Sequence, residues 1–163
     1  MALPDPGDQN PVRHELGPSV ETLSRLARIL ERASGELSLS HYRVLAMVSA
    51  GDGRASRLAG RLALGKPAIS AAVESLVSRG LLGRSDSDPD RRATRLQITA
   101  KGREALTAAE LLMCAALGDL LSHATNPRAI LAGIGEVSVA LERRQAAREI
   151  KPVPAAPVAH SRS

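Results

Sequence analysis

The sequence predicts a mainly α-helical fold carrying one small β-hairpin, and three observations support that prediction. Apolar residues recur at three- and four-residue intervals along most of the chain. The interval shortens to two between Ala93 and Ile98. The 163 residues include no Phe, no Trp and one Tyr, so any core is made of Leu, Val, Ile and Ala, which pack best between helices. The same lack of rings removes the stacking surface on which single-stranded nucleic acid binds.

Taken in order, residues 1–15 carry acids and prolines and read as a loose arm. Leu16, Val20, Leu23, Ala27 and Leu30 then mark an amphipathic helix from about Pro18 to Ser34, ended by Gly35. Ser38 is placed to cap a second helix with His41, Val44, Leu45 and Val48 on one stripe, stopped by Gly51-Asp52-Gly53. A short helix from about Ser56 to Leu62 offers Leu58, Ala59 and Leu62 to a core before Gly65 breaks it. The next opens at Lys66-Pro67, shows Ile69, Ala72, Val73, Leu76 and Val77 on one face, and ends at Gly80. Its other face, Ser70, Ala71, Glu74, Ser75 and Ser78, is small enough for close approach by another surface.

Two short helices joined by a tight turn, the second with a small outer face, describe a helix-turn-helix. Leu81–Arg84 and Ala93–Ile98 flank a polar loop and predict a hairpin with a charged tip, Thr94, Leu96 and Ile98 alternating with Ala93, Arg95 and Gln97. A helix-turn-helix followed at once by such a hairpin is a winged helix, over about residues 36–99. Thr99 then caps a long apolar helix through Leu106, Leu111, Leu112, Met113, Leu117, Leu120 and Leu121, and a last helix runs from about Asn126 to Ile150 with Ile130, Ile134, Val137 and Leu141. Residues 16–35 and 100–150 expose more apolar surface than the reading unit can cover, which predicts pairing with a second copy. Residues 151–163, rich in Pro and Ala, read as a disordered tail.

Charge is distributed to match. Between Arg54 and Lys101 there are ten basic and four acidic residues, +6, whereas the rest of the chain nets −1 against an overall +5. A localised excess of this kind is the footprint of a polyanion site.

At this point the residues resemble the MarR family of bacterial winged-helix transcription regulators. The resemblance covers about Leu16 to Leu121 and is carried by Leu37-Ser38 through Val44-Leu45, Ser56-Arg57-Leu58-Ala59, Lys66-Pro67-Ala68-Ile69-Ser70, Leu76 through Arg84, the wing Asp88-Pro89-Asp90-Arg91-Arg92, and Leu96 through Gly102. It implies a homodimer that represses nearby genes and releases DNA when a small amphipathic or aromatic ligand, or an oxidant, arrives. It also implies that Asp90, Arg91 and Arg92 stabilise the wing and contact DNA. Two positions depart from the family: His41 stands where Gln is frequent, and Ala71 where a longer contact residue is usual.

The expected DNA contacts are Lys66 and Pro67 at the helix start, against phosphate. Ser70, Ala71, Glu74 and Ser75 face the major-groove floor, and Arg91, Arg92 and Arg95 belong to the wing, whose tip arginines favour an A·T-rich minor groove. Glu74 is either an acceptor for a cytosine amino group or a solvated acid. Asp88 and Asp90 hold the wing, Asp90 by pairing with an arginine, since a carboxylate beside phosphates is repelled. A dimer reads an inverted repeat with half-sites about 10 to 10.5 base pairs apart. A ligand cleft near Leu26, Leu30 and Val44 is weighed against plain core packing.

Other functions have less support. No Gly-rich phosphate loop, His-x-x-x-His pair or nucleophile elbow occurs, so an enzyme is not expected, and no cofactor or metal site is expected either. Cys114, the single cysteine, permits no internal disulfide and reads as a buried, inert thiol within an apolar stripe. No apolar run is expected to span a bilayer, the first residues do not resemble a signal peptide, and the chain reads as cytoplasmic. Two alternatives remain: a winged-helix module for protein interaction alone, and a DNA-binding regulator without a ligand.

Overall fold

A computed structural model describes residues 11–51, 53, 58, 62, 65–85 and 95–149. In chain order these form α1 (Pro11–Ala33), α2 (Leu39–Ser49), α3 (Lys66–Ser78), β1 (Leu82–Ser85), β2 (Arg95–Ile98), α4 (Ala100–Ser122) and α5 (Pro127–Glu149). This is the mainly helical, hairpin-bearing architecture expected. The chain divides into two compact units, Met1–Leu120 and Leu121–Ser163.

Helix α1 begins within the expected arm, at Pro11 rather than Pro18. A proline is tolerated in the first turn because its missing N–H would have had no partner there, and Pro11 supplies that start while Pro18 lies inside the helix. Helix α2 starts as its sequence dictates. The Ser38 side chain accepts from the His41 backbone N–H at 3.2 Å and Glu31, reaching over from α1, accepts from the Leu39 N–H at 2.9 Å. Of the expected short helix, Leu58 and Leu62 are helical, with Leu58 fully buried; its other residues lie outside those described.

Helix α3 ends in a Schellman motif. Leu81 N–H donates to the Leu76 carbonyl at 2.9 Å and Gly80 N–H to that of Val77 at 2.9 Å, with Gly80 at φ +71°, a conformation that favours glycine. Strands β1 and β2 pair antiparallel, Leu82 opposite Ile98 and Ser85 opposite Arg95. Leu96 is buried while Arg95 and Gln97 are exposed, the alternation predicted. On the far side of β2, Leu96 N–H donates to the Gly53 carbonyl at 2.8 Å. Gly53 is buried, and a side chain there would run into the Leu96 carbonyl, which is why glycine closes that turn.

One cluster of Leu37, Val44, Leu45, Val48, Leu58, Ile69, Ala72, Val73, Leu76, Leu81, Leu82, Leu96, Leu106, Ala109 and Met113 forms the core. It joins α2, α3, both strands and the first half of α4. Each fully buried Leu or Val contributes about 1.5–3 kcal/mol. The start of α4 locks the hairpin to α3. Thr99 Oγ1 accepts from Gly102 N–H at 3.0 Å and donates to the Gly80 carbonyl at 2.8 Å, and Lys101 Nζ donates to the Arg79 carbonyl at 3.1 Å.

Contrary to the sequence expectation, Ala100–Ser122 is long and apolar enough to cross a membrane by length and composition. Its Gly102, Leu106, Ala109 and Met113 are nevertheless buried in the domain. Leu111, Leu112 and Leu120 of the same helix are exposed, as are Leu16, Val20 and Leu23 of α1. In the second unit, Asn126 Oδ1 caps α5 by accepting from Ala129 N–H at 3.1 Å, and Ile130, Leu131, Ile134, Val137 and Leu141 are exposed.

Candidate nucleic-acid interface

The buried face of α3 consists of Ile69, Ala72, Val73 and Leu76, packed against the rest of the domain. Because a helix repeats every 3.6 residues, those positions leave Pro67, Ala68, Ser70, Ala71, Glu74 and Ser78 on the surface, and all six are exposed. Four of the expected DNA contacts thus share one free face: Pro67, Ser70, Ala71 and Glu74. Ser75 differs, being half-buried at the edge of the core face, with its carbonyl receiving both Arg79 N–H and the Ser78 hydroxyl. Ala68 and Ser78 are exposed on α3 as well; the sequence reading placed Ser78 on this outer face without giving it a DNA contact and did not name Ala68.

The start of α3 differs from those of the other helices with described caps. Ser38, Thr99 and Asn126 each present a side-chain oxygen to the first turn of their helices. The cap of α3 is Gly65, which has no side chain to give, and among the described residues no side-chain bond closes that end. Pro67 in the first turn removes one amide that would otherwise need a partner. Gly65, Pro67 and Ala68 are exposed, so the positive end of the helix dipole is accessible there, an arrangement suited to a phosphate. Lys66 supplies the first helical residue; its side chain lies outside those described.

The strands carry the second part of the surface. Arg95 on β2 and Arg84 on β1 are exposed, Arg95 in the strand pair that adjoins the loop. Arg91, Arg92, Asp88 and Asp90, expected at its tip, lie outside the described residues. Residues 37–102 match the winged helix DNA-binding domain family model. The fold is that of a winged helix. By sequence, no curated protein matches the chain.

Solved structures of similar fold include transcription regulators. The regulator BldR from Sulfolobus solfataricus is 25% identical, with 81% of this chain and 98% of that one covered, at a TM-score of 0.67. The M. tuberculosis regulator MosR, solved in complex with DNA, is 23% identical over 79% of this chain and 96% of that one, at 0.57. The organohalide-sensing regulator RdhR, solved in a 2,4-dichlorophenol-bound form, is 15% identical over 88% and 87%, at 0.65. Further structures of this fold belong to MarR family regulators.

A cavity of about 370 Å³ opens between α1, α2 and α4 of the winged helix unit. Leu26 and Leu30 line it as expected for a cleft, joined by Tyr42, Glu110, Met113 and Cys114. Val44, expected beside them, is fully buried in the core and does not line the cavity; it sits on the inner face of α2, whereas Tyr42 and Arg43 turn toward the opening. Cys114 corrects the sequence reading as well. It is exposed rather than buried, because α4 leaves the core beyond Met113. The polar element within the cavity is a hydrogen bond from the Tyr42 hydroxyl to Glu110 Oε1 at 3.2 Å. Burial first, then the neighbouring Glu110 charge and that bond, push the Tyr42 phenol above its ordinary value. Glu110, Met113, Cys114 and Leu117 are spaced i, i+3, i+4 and i+7, so the α4 wall was legible as one stripe. Among the described residues, no group of His, Cys, Asp and Glu could hold a metal ion.

Proposed function

We propose that this chain is a MarR family transcriptional regulator that binds double-stranded DNA sequence-specifically as a homodimer in the cytoplasm and represses nearby genes. The observation that carries the reading is the solvent-facing Ser70, Ala71 and Glu74 surface of α3, with an uncapped helix start at one end and basic hairpin strands beside it. In this reading the first-turn amides of α3 and Lys66 fix phosphate while Ser70, Ala71 and Glu74 meet base edges. Arg95 grips the flanking backbone, and Arg91 and Arg92 reach the minor groove, with Asp88 and Asp90 holding the wing. The MosR structure, a DNA complex of the same fold, supports this assignment.

Dimerisation is favoured by the exposed apolar residues of α1, α4 and α5, which cost free energy in water and are more extensive than scattered surface leucines. The cavity between α1, α2 and α4 favours a regulator relieved by a small amphipathic or aromatic ligand over one without a ligand, and the dichlorophenol complex of RdhR supports that choice.

The test is selection of bound duplexes from a random pool by the purified chain. An enriched inverted repeat with half-sites about 10 to 10.5 base pairs apart is expected. No enrichment, together with salt-insensitive retention of DNA, would leave the winged helix as a protein-interaction module instead.

A further inference from the structure

The cavity between α1, α2 and α4 has a lining of two kinds. Its apolar part is aliphatic and includes Leu26, Leu30, Leu39, Met113 and Leu117. Tyr42, also in the wall, is the one Phe, Tyr or Trp residue in the chain. The volume of about 370 Å³ falls within the range of small-molecule sites, about 300–1,000 Å³. A flat aromatic ligand gains most from rings that it can meet edge-on or offset, and a single ring stands here. Leucine and methionine side chains adapt instead to a flexible hydrocarbon, so the apolar lining suits an alkyl chain.

The polar part presents acceptors. Tyr42 donates its single O–H to Glu110 Oε1 at 3.2 Å, which leaves the phenolic oxygen and the carboxylate with lone pairs and no proton to give. Among the described residues no cation forms an ion pair with Glu110, although Arg43 lines the same cavity. The surroundings of the phenol agree: burial first, then the Glu110 charge and its hydrogen bond, raise its pKa, with no described cation opposing them. A ligand carboxylate brings acceptors to acceptors and a like charge to Glu110. An ammonium brings three donors and the opposite charge.

We propose that the cavity takes an aliphatic cation, an alkylammonium whose chain lies on the leucine and methionine wall and whose head group donates to the Glu110 carboxylate and the Tyr42 phenolic oxygen. Arg43, exposed and outside the Tyr42–Glu110 hydrogen bond, is the group that an anionic ligand would need instead. No described residue of α3 lines the cavity, so the effect of this ligand on DNA is indirect. That effect rests on the ligand-relieved regulator reading above; the binding of the cation does not.

The test titrates the full chain, without DNA, with octylammonium, octanol, octanoate and benzoate by calorimetry at neutral pH. Octylammonium carries its charge there, as a lysine side chain does. It should bind about fivefold more tightly than octanol, the upper value for an exposed charge pair, and octanoate and benzoate should bind more weakly than octanol. Glu110→Gln should abolish the preference for octylammonium and leave octanol unchanged. Tyr42→Phe, which keeps the ring and loses the hydroxyl, should reduce that preference and serves if the first variant does not fold. Octanoate or benzoate binding as tightly as octylammonium overturns the inference, and so does failure of every probe to bind. A preference for octylammonium that survives Glu110→Gln places the cation elsewhere and overturns it too. In the DNA arm, octylammonium should release a duplex taken from the random-pool selection from wild type and not from Glu110→Gln; retention of the duplex at saturating octylammonium overturns the coupling of this ligand to DNA. Failure to bind DNA without any probe defeats the regulator reading, and the calorimetry still decides the ligand class.

Discussion

Replacing Gly102 by Ala places a methyl group on α4 where two effects of opposite sign compete. In an unconstrained helix the change stabilises by about 1 kcal/mol, since glycine loses more backbone freedom on folding than alanine does. At Gly102 the new Cβ runs into the Leu81 carbonyl oxygen and lies 2.9 Å from Ile98 Cγ1. The Leu81 carbonyl cannot retreat freely, because it accepts from Thr99 N–H at 3.2 Å and from Thr99 Oγ1 at 3.2 Å. Overpacking of this kind costs about 1–3 kcal/mol, and loss of a bond to that carbonyl adds about 1 kcal/mol. The net expectation is a loss of about 1–3 kcal/mol. Gly118 on the same helix is the control. It is exposed and a Cβ there meets nothing within 4 Å, so Gly118→Ala should gain about 1 kcal/mol. Urea unfolding at one protein concentration reads both through the midpoint at unchanged slope. A Gly102→Ala chain as stable as wild type would refute the claim that backbone contact between α4 and the residue preceding β1 requires glycine.

The core reading predicts that Leu45→Ala, at a fully buried position, costs about 2–5 kcal/mol in the same urea measurement. Tyr42 is the one tyrosine in a chain without Trp, so its ionisation can be followed by absorbance without a competing ring. The phenol should titrate above 10, and Glu110→Gln should bring it down, because burial and Glu110 both disfavour the phenolate. Folding keeps that proton longer than the unfolded chain does, so this group reduces stability as pH rises from 10 toward the folded value and has no effect below. Arg91→Ala with Arg92→Ala should weaken DNA binding and shallow the log K against log salt slope by about 0.9 for each phosphate no longer neutralised; an unaltered slope rejects the wing's role on the backbone. Ser70→Ala should change base preference in a panel of substituted duplexes with little change in the salt slope, and an unchanged preference removes Ser70 from base recognition.

The parts of the fold legible in the sequence are those with one dominant local cause. Ser38 and Thr99 cap helices because their hydroxyls satisfy first-turn amides, and Gly80 ends α3 because its φ of +71° suits glycine. The faces of α3 and β2 follow from periods of 3.6 and 2. What escapes a sequence reading depends on contacts between residues distant along the chain. That Glu31 would cap α2 is not written in the first turn of α2, and Glu110 meets Tyr42 across 68 positions. Val44 and Tyr42 lie two positions apart, yet one is core and the other wall, a division set by where α1 and α4 cross α2. The start of α1 is ambiguous in sequence because two prolines each fit a first turn, and only Pro11 occupies it.

On the regulator reading, the composition of α3 separates affinity from specificity. Its exposed residues offer hydroxyls at Ser70 and Ser78, methyls at Ala68 and Ala71 and one carboxylate at Glu74, with no long donor able to bridge a guanine in the bidentate manner that gives the largest single discrimination, about 1–3 kcal/mol. The charge that holds phosphate lies elsewhere, at the uncapped start of α3 and along the hairpin strands. Substitutions in those two places should therefore lower affinity evenly across sequences, while sequence choice depends on short side chains whose reach is set by how closely α3 approaches the groove. Small positional changes in the helix then alter specificity more than they would for a helix bearing arginines, which can extend to follow the bases.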